Sequence, residues 1–171
     1  MDKVTRRGLI GGLAAAGAGA LASAAAAAPA MLQMRDLKKE GDVACVYHCD
    51  CGDKERMLQL LNTVSNPYSV YGANPFEVQL VIVAHSAGVK FFLDNHENTP
   101  WAKQEYDNTP FERASSLAKN GLKVHLCEIT FKRLKIDMAK IRNADFISIV
   151  PSGVATVAAL QSKGFGYIKV Q

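Results

Sequence analysis

Five apolar runs, separated by stretches of helical periodicity, constrain the fold of this chain more than any other feature of its sequence. The runs cover residues 43–47, 76–84, 123–127, 146–150 and 165–170. Short runs rich in Val, Ile and Leu are typical of strands buried on both faces, and their alternation with helices is typical of parallel sheets. Residues 42–170 are therefore predicted to form one α/β domain, with a five-stranded, mainly parallel sheet and helices on both faces.

The connections between these runs contain recognisable helix signals. Asp53 is a suitable N-cap for a helix whose apolar residues recur with helical spacing, and Asn66-Pro67 is predicted to end that helix. Residues 31–41 are polar and are predicted to form a flexible tether. Residues 94–110 form an irregular segment, which is predicted to be either a lid or partner surface, or a surface connection with a short helix of its own.

The N-terminus resembles an export signal. Residues 5–10 read TRRGLI, a twin-arginine motif, and an Ala/Gly-rich run leads to an Ala-x-Ala site at 28–30. The run is long enough for a membrane anchor, but alanine and glycine contribute little transfer free energy. We therefore predict a cleaved twin-arginine signal peptide at 1–30 and a mature periplasmic protein that is not associated with the membrane.

The charge of the chain argues against one class of partner. Removing the predicted leader takes away three basic residues and one acidic residue, which lowers the net charge from +4 to +2. So small a charge gives no electrostatic footprint for nucleic acid, and no nucleic-acid partner is predicted.

Side chains capable of chemistry lie where three of the predicted strands end. They are His48, Cys49 and Cys51 after the first strand, His85 and Ser86 after the second, and Cys127 at the end of the third. Because parallel strands bring their carboxyl ends to one edge of the sheet, these residues are expected to form a site there. Cys127 is the candidate nucleophile and His85 the candidate base. The backbone N–H groups of Ser86, Ala87 and Gly88 could hold an anion.

Two alternatives remain open for the cysteines. Cys127 could be an inert buried thiol. Cys49 and Cys51 could form a labile dithiol–disulfide pair, or could join His48 and either His85 or Cys127 in a soft N/S metal site. Their spacing is not that of a zinc finger. No cofactor is predicted, and the disulfide state of Cys45, Cys49 and Cys51 stays open.

Four stretches of the chain resemble the DsrE/DsrF-like proteins, a family that includes the TusD-type sulfur carriers. The stretches are VYHCDCGDKERMLQLLNTVSNPY, VQLVIVAHSAGVKFF, GLKVHLCEITFKRLKID and ISIVPSGVATVAALQSKGFGYIKV, within residues 42–170. The Cys-x-x-Thr at 127–130 and the C-terminal stretch are the most specific. The resemblance implies a flavodoxin-like three-layer fold that assembles into homotrimers or homohexamers. It also implies that Cys127 accepts sulfane sulfur as a persulfide.

Two functions follow from these observations. The first is a periplasmic sulfur carrier or sulfurtransferase that exchanges sulfur with a protein or a small sulfur compound. Cys127 and His85 would be catalytic, and Ser86, Ala87, Gly88 and Thr130 would bind substrate. The second is a non-enzymatic oligomeric module that binds a small anion, metal or cofactor at the same edge, with Cys127 structural.

Overall fold

All the strands of the sheet run parallel. The computed structural model describes residues 28–74 and 76–170, so most of the predicted signal peptide lies outside the described residues. Within them the sheet has six strands in the order β1-β5-β4-β3-β2-β6. The strands are β1 Ala30–Met31, β2 Val43–Cys49, β3 Val78–Ala84, β4 Lys123–Cys127, β5 Ile147–Val150 and β6 Gly166–Lys169. The predicted α/β class is confirmed, and β1 is one strand more than the five predicted.

The helices cover both faces of the sheet. They are α1 Lys54–Tyr71, α2 Thr109–Ala118, α3 Glu128–Leu134 and α4 Gly153–Ser162, with 3-10 helices at Met34–Asp36, Ser86–Phe92 and Met138–Lys140. α1 and α2 pack together on one face, whereas α4 packs against β2, β3 and β4 on the other. Among the described residues, no helix is both long and apolar enough to cross a membrane.

The first helix is longer than predicted. Asp53 caps α1 by accepting a hydrogen bond from the Arg56 N–H at 2.9 Å, as expected. The helix then passes through Pro67 and ends at Tyr71, so the predicted end at Asn66-Pro67 is wrong. Proline costs a helix one N–H donor. Here the buried Tyr68 side chain holds the last turn against the core, which offsets that loss.

Strand alternation sorts the core into two layers. Tyr47, Ile82 and Leu126 belong to the large core beneath α1 and α2. Val46 and Val83 belong to the smaller core beneath α4. Because successive side chains of a strand point to opposite faces, this parity also fixes the face on which each residue at a strand end must lie.

Two segments predicted to be irregular pack against the domain. Within residues 31–41, Met31 pairs with Ile149 of β5 and the side chain of Leu37 is buried, so part of the predicted tether belongs to the packed fold. In the 94–110 segment, Trp101 is buried and the Tyr106 hydroxyl donates to the Leu93 carbonyl at 3.0 Å. These contacts hold the segment over the carboxyl edge of the sheet.

His125 makes the stability of the fold depend on pH. Its side chain is buried in β4, and burial lowers its pKa to about 4. An unfolded histidine titrates near 6.5, so the unfolded chain binds this proton more readily. The stabilisation by neutral His125 is therefore complete above pH 6.5 and is lost as the pH falls towards 4, by about 3 kcal/mol.

We expect His125→Phe to remove this dependence, because phenylalanine has a similar shape and does not titrate. Urea unfolding at pH 7, 5 and 4 should show the variant gaining about 3 kcal/mol relative to wild type as the pH falls. A difference between the two proteins that stays constant with pH would contradict the assignment.

Candidate active site

A pocket of about 570 Å³ opens at the carboxyl edge of the sheet. His85, Cys127 and Ser152 reach it from the ends of β3, β4 and β5, and the 94–110 segment closes one side. The pocket is lined by His85, Ser86, Ala87, Pro100, Trp101, Cys127, Ile129, Thr130, Arg133, Leu134, Ser152 and Val154. Of the predicted site residues, His85, Ser86, Ala87, Cys127 and Thr130 line this pocket.

Cys127 is the last residue of β4 and lies at the wall of this pocket. It pairs with Val150 of β5, and its side chain is 5% exposed. Gly153, the first residue of α4, lies between it and His85: a Cβ added at Gly153 would be 3.1 Å from Cys127 Cβ and 3.0 Å from His85 Cβ. The absence of a side chain at 153 thus lets α4 approach both residues closely.

The residues around Ser86 are held by polar contacts. The Ser86 N–H donates to Thr130 Oγ1 at 3.0 Å, and His85 Nδ1 lies 3.0 Å from Ser86 Oγ. Ser86 has a φ of 50°, a strained conformation for a residue with a side chain. The Thr130 side chain is buried, so it positions the 85–86 turn while also lining the pocket.

Two of the three amides predicted to bind an anion, those of Ser86 and Gly88, already donate a hydrogen bond within the protein. Ala87 lines the pocket, but the Gly88 N–H donates to the His85 carbonyl at 2.9 Å. A Cβ at Gly88 would overlap the Cys49 carbonyl and lie 2.9 Å from Cys49 Sγ. Gly88 therefore allows the 3-10 helix to pack against the end of β2.

The charges near Cys127 are arranged along α3. Glu128 pairs with Lys132 at 2.6 Å, one turn further along the helix. Arg133 lines the pocket and brings a positive charge to its rim. An anion entering the pocket would therefore meet a cation in its lining.

His48 and His85 lie in contact at the same edge. Their Nε2 atoms are 2.5 Å apart, and His48 Nδ1 lies 2.8 Å from the Tyr167 hydroxyl. Burial lowers the pKa of both rings, and the charge of His85 lowers that of His48 further. The pair is therefore favoured in its neutral form, with one Nε2–H donating to the other ring.

Asp50 faces the two histidines. Its Oδ2 atom lies 4.0 Å from His48 Nε2 and accepts a hydrogen bond from Lys169 Nζ at 2.8 Å. Burial acts to raise the pKa of Asp50, but the Lys169 hydrogen bond and the neighbouring positive charges outweigh burial and lower it. The carboxylate is therefore ionised beside two neutral rings.

The Cys49-x-Cys51 pair lies apart from this cluster. Cys49 was expected in a loop, but it is the last residue of β2 and its buried side chain lies in the large core, with Sγ 3.8 Å from Met57 Sδ. The parity of β2 puts His48 and Cys49 on opposite faces, so the set of His48, Cys49 and Cys51 cannot converge on one ion. All four cysteines, each within the described residues, are free thiols.

Cys51 is the more acidic thiol of the pair. A hydrogen bond from the Cys49 thiol, together with the Asp53 N–H, lowers the pKa of Cys51 to about 6 against the opposing effect of burial. The same hydrogen bond, with complete burial, raises the pKa of Cys49. Burial also raises the pKa of Cys45, inside β2. Cys51 is thus a second thiol, besides Cys127, to be tested for reactivity.

The family model of the DsrE/DsrF-like family matches residues 56–170. The chain belongs to the DsrE/DsrF-like family. No match is found among curated proteins. Among solved structures, a protein of unknown function from Methanobacterium thermoautotrophicum has the same fold, with a TM-score of 0.59 and 24% sequence identity over 75% of this chain and 99% of that one.

Sequence reasoning missed several residues of this DsrE/DsrF-like site. They are Asp50, Pro100, Trp101, Arg133, Ser152, Tyr167 and Lys169. Asp50 lies between Cys49 and Cys51, and the Cys-x-Cys pattern indicates thiol or metal chemistry without assigning a role to the carboxylate. Tyr167 and Lys169 carry no local signal, because only the position of β6 beside β2 brings them to His48 and Asp50.

We expect Gly88→Ala to lower the free energy of unfolding by about 1–3 kcal/mol, because the added methyl group would overlap backbone rather than a movable side chain. Gly166→Ala is the matched control, since its Cβ would make only an ordinary contact, 3.5 Å from Cys45 Sγ. Urea unfolding of both variants measures the effect. Equal stability of Gly88→Ala and wild type would show that the packing argument is wrong.

Proposed function

We propose that this DsrE/DsrF-like protein is a sulfur carrier that holds sulfane sulfur as a persulfide on Cys127. The observation that carries the proposal is the position of this thiol, beside His85 in a pocket at the carboxyl edge of the sheet. Membership of a family that includes sulfur-relay proteins supports it. The TusD-like assignment of Cys127 rests on the Cys-x-x-Thr motif at 127–130.

The proposed chemistry is a pair of thiol exchanges. The Cys127 thiolate attacks the outer sulfur of a persulfide or thiosulfate donor, a new S–S bond forms, and the donor leaves as a thiolate or sulfite. An acceptor thiolate then attacks the outer sulfur of the Cys127 persulfide, and Cys127 leaves as a thiolate. The two steps conserve electrons overall, so no additional oxidant is needed.

The pocket offers a role for each neighbouring group. A neutral His85 can accept the Cys127 proton at Nδ1 through a water molecule, since its Nε2 atom faces His48. Arg133 can attract an anionic donor to the rim, and the Ser152 hydroxyl can donate to a sulfur anion. Thr130 acts on the site through the Ser86 N–H that it holds.

We also propose that the mature protein works in the periplasm as a homotrimer or homohexamer. The TRRGLI motif supports export, and the family resemblance supports assembly. The export proposal would fail if Arg6→Lys combined with Arg7→Lys left export unchanged. The oligomer proposal would fail if light scattering gave the mass of a monomer.

The lining of the pocket favours one second candidate, a non-enzymatic binding module. Trp101, Ile129, Leu134 and Val154 give part of the wall an apolar character suited to a small organic ligand. In that function Cys127 is structural and does not react. The reactivity of the thiol therefore separates the two candidates.

Incubation of the purified protein with polysulfide or thiosulfate should add mass in steps of one sulfur atom, and reductant should remove it. We expect Cys127→Ser to abolish the gain and Cys45→Ser to preserve it, because Cys45 lies within β2 and its pKa is raised. Intact-mass spectrometry of each variant is the measurement.

Two outcomes would contradict the proposal. An unmodified wild type favours the binding module. A gain that survives in Cys127→Ser but is lost in Cys51→Ser places the sulfur on the acidic thiol of the first loop instead.

A further inference from the structure

The side chains of His48, Asp50 and His85 form a cluster beside the Cys127 pocket that the proposed sulfur chemistry does not fully use. Each offers one potential ligand atom to a metal, and these atoms all lie within 4.8 Å of one another. The cluster sits at the carboxyl end of β2, which has β3 on one side and β6 on the other. The strand order reverses there, and ligand sites of open α/β sheets gather at such points.

The two imidazole rings are oriented as metal ligands are. Both Nε2 atoms face each other, whereas the Nδ1 atoms face hydroxyl groups: Tyr167 for His48 and Ser86 for His85. A hydroxyl oxygen can accept from Nδ1–H, which leaves both Nε2 lone pairs free. Metal-binding histidines almost always have such a partner on the other ring nitrogen.

Asp50 completes a set of three protein ligands. Its Oδ2 atom lies 4.0 Å from His48 Nε2. The His48 and Asp50 side chains are 15% and 31% exposed, so water can reach a further coordination position. Three N/O ligands with one open position suit a catalytic type of zinc site.

The rings need only a small movement to admit an ion. Donor atoms bound to a tetrahedral ion at about 2.0–2.1 Å lie about 3.3 Å apart. The two Nε2 atoms are 2.5 Å apart, so they would separate by less than about 1 Å, and the proton between them would move to the Nδ1 atom of its own ring, where a hydroxyl oxygen accepts it. Lys169 competes for Asp50 Oδ2 and weakens binding by its charge.

We propose that His48, His85 and Asp50 bind one divalent first-row transition ion, of the class represented by Zn²⁺, with water at the open position. Tyr167 and Ser86 position the two rings. The ligand set contains no thiolate. Cys49 lies on the other face of the sheet, and the three proposed ligands do not include Cys51 or Cys127. The proposal shares His85 with the proposed sulfur chemistry, so it is tested on His48 and Asp50, whereas persulfide formation is tested on Cys127.

Equilibrium dialysis of the full-length protein against Zn²⁺ should give one ion per chain. His48→Gln and Asp50→Asn should each weaken the affinity at least tenfold, and Tyr167→Phe should weaken it less, because that residue only positions a ring. Lys169→Met should strengthen the affinity, since it frees the carboxylate.

Cys51→Ser and Cys127→Ser are the controls and should bind as wild type does. Thermal melting without metal shows whether each variant is folded.

Co²⁺ provides the second measurement. The bound ion should show ligand-field bands without a thiolate charge-transfer band, and His48→Gln should reduce those bands. The absence of stoichiometric binding would overturn the proposal. Binding that persists in both His48→Gln and Asp50→Asn, or that is lost in Cys51→Ser or Cys127→Ser, would also overturn it. If Cys127→Ser accepts no sulfur but binds Zn²⁺ normally, the two activities are separate.

Discussion

The parallel pairing of β2, β3 and β4 is the constraint on which the candidate site depends. Its register places Cys49, Ala84 and Leu126 side by side, with their side chains in the large core. The residue directly before or after each of these three has its side chain on the opposite face of the sheet. His48, His85 and Cys127 each stand one position away from one of these three. A slip of one residue in any of these strands would remove a member of the site to the other face.

Two glycines then allow helices to pack closely against the strand ends that this register aligns. Gly153 lets the start of α4 lie against both His85 and Cys127, and Gly88 lets the Ser86–Phe92 turn lie against Cys49. A side chain at either position would push a helix away from the sheet edge. The pocket beside Cys127 and the cluster around His48 are thus separated by His85, which borders both. This shared histidine places the pocket and the proposed metal ligands next to each other.

The same parity gives the cysteines different environments. Cys127 faces the pocket, Cys49 is enclosed in the core, and Cys51 lies beyond the strand, where hydrogen bonds favour its thiolate. The sequence pattern Cys-x-Cys suggested a functional pair. In the folded protein Cys49 is buried and Cys51 is partly exposed, so of these two thiols only Cys51 is accessible enough to react. Asp50, between them, turns instead towards the histidines.

Local pattern in the sequence determined much of this protein. Apolar runs predicted the strands, Asp53 predicted the start of α1, and the strand-end positions of His85 and Cys127 predicted that they would meet. The sequence also held the signal for burying Cys49, since Cys45, Tyr47 and Cys49 alternate on one face. Such features depend on interactions between residues that are close in the sequence, so the local sequence pattern predicts them.

Only the tertiary structure decided the rest. Pro67 lies within α1 because Tyr68 finds a place in the core, a contact that no local rule anticipates. Tyr167 and Lys169 reach His48 and Asp50 because β6 returns to pair with β2 at the far side of the sheet. The contacts of His48 with Tyr167 and of Asp50 with Lys169 each join residues 119 positions apart. Contacts between distant segments depend on how the helices pack on the sheet and on which strands pair with each other. A local sequence pattern specifies neither of these.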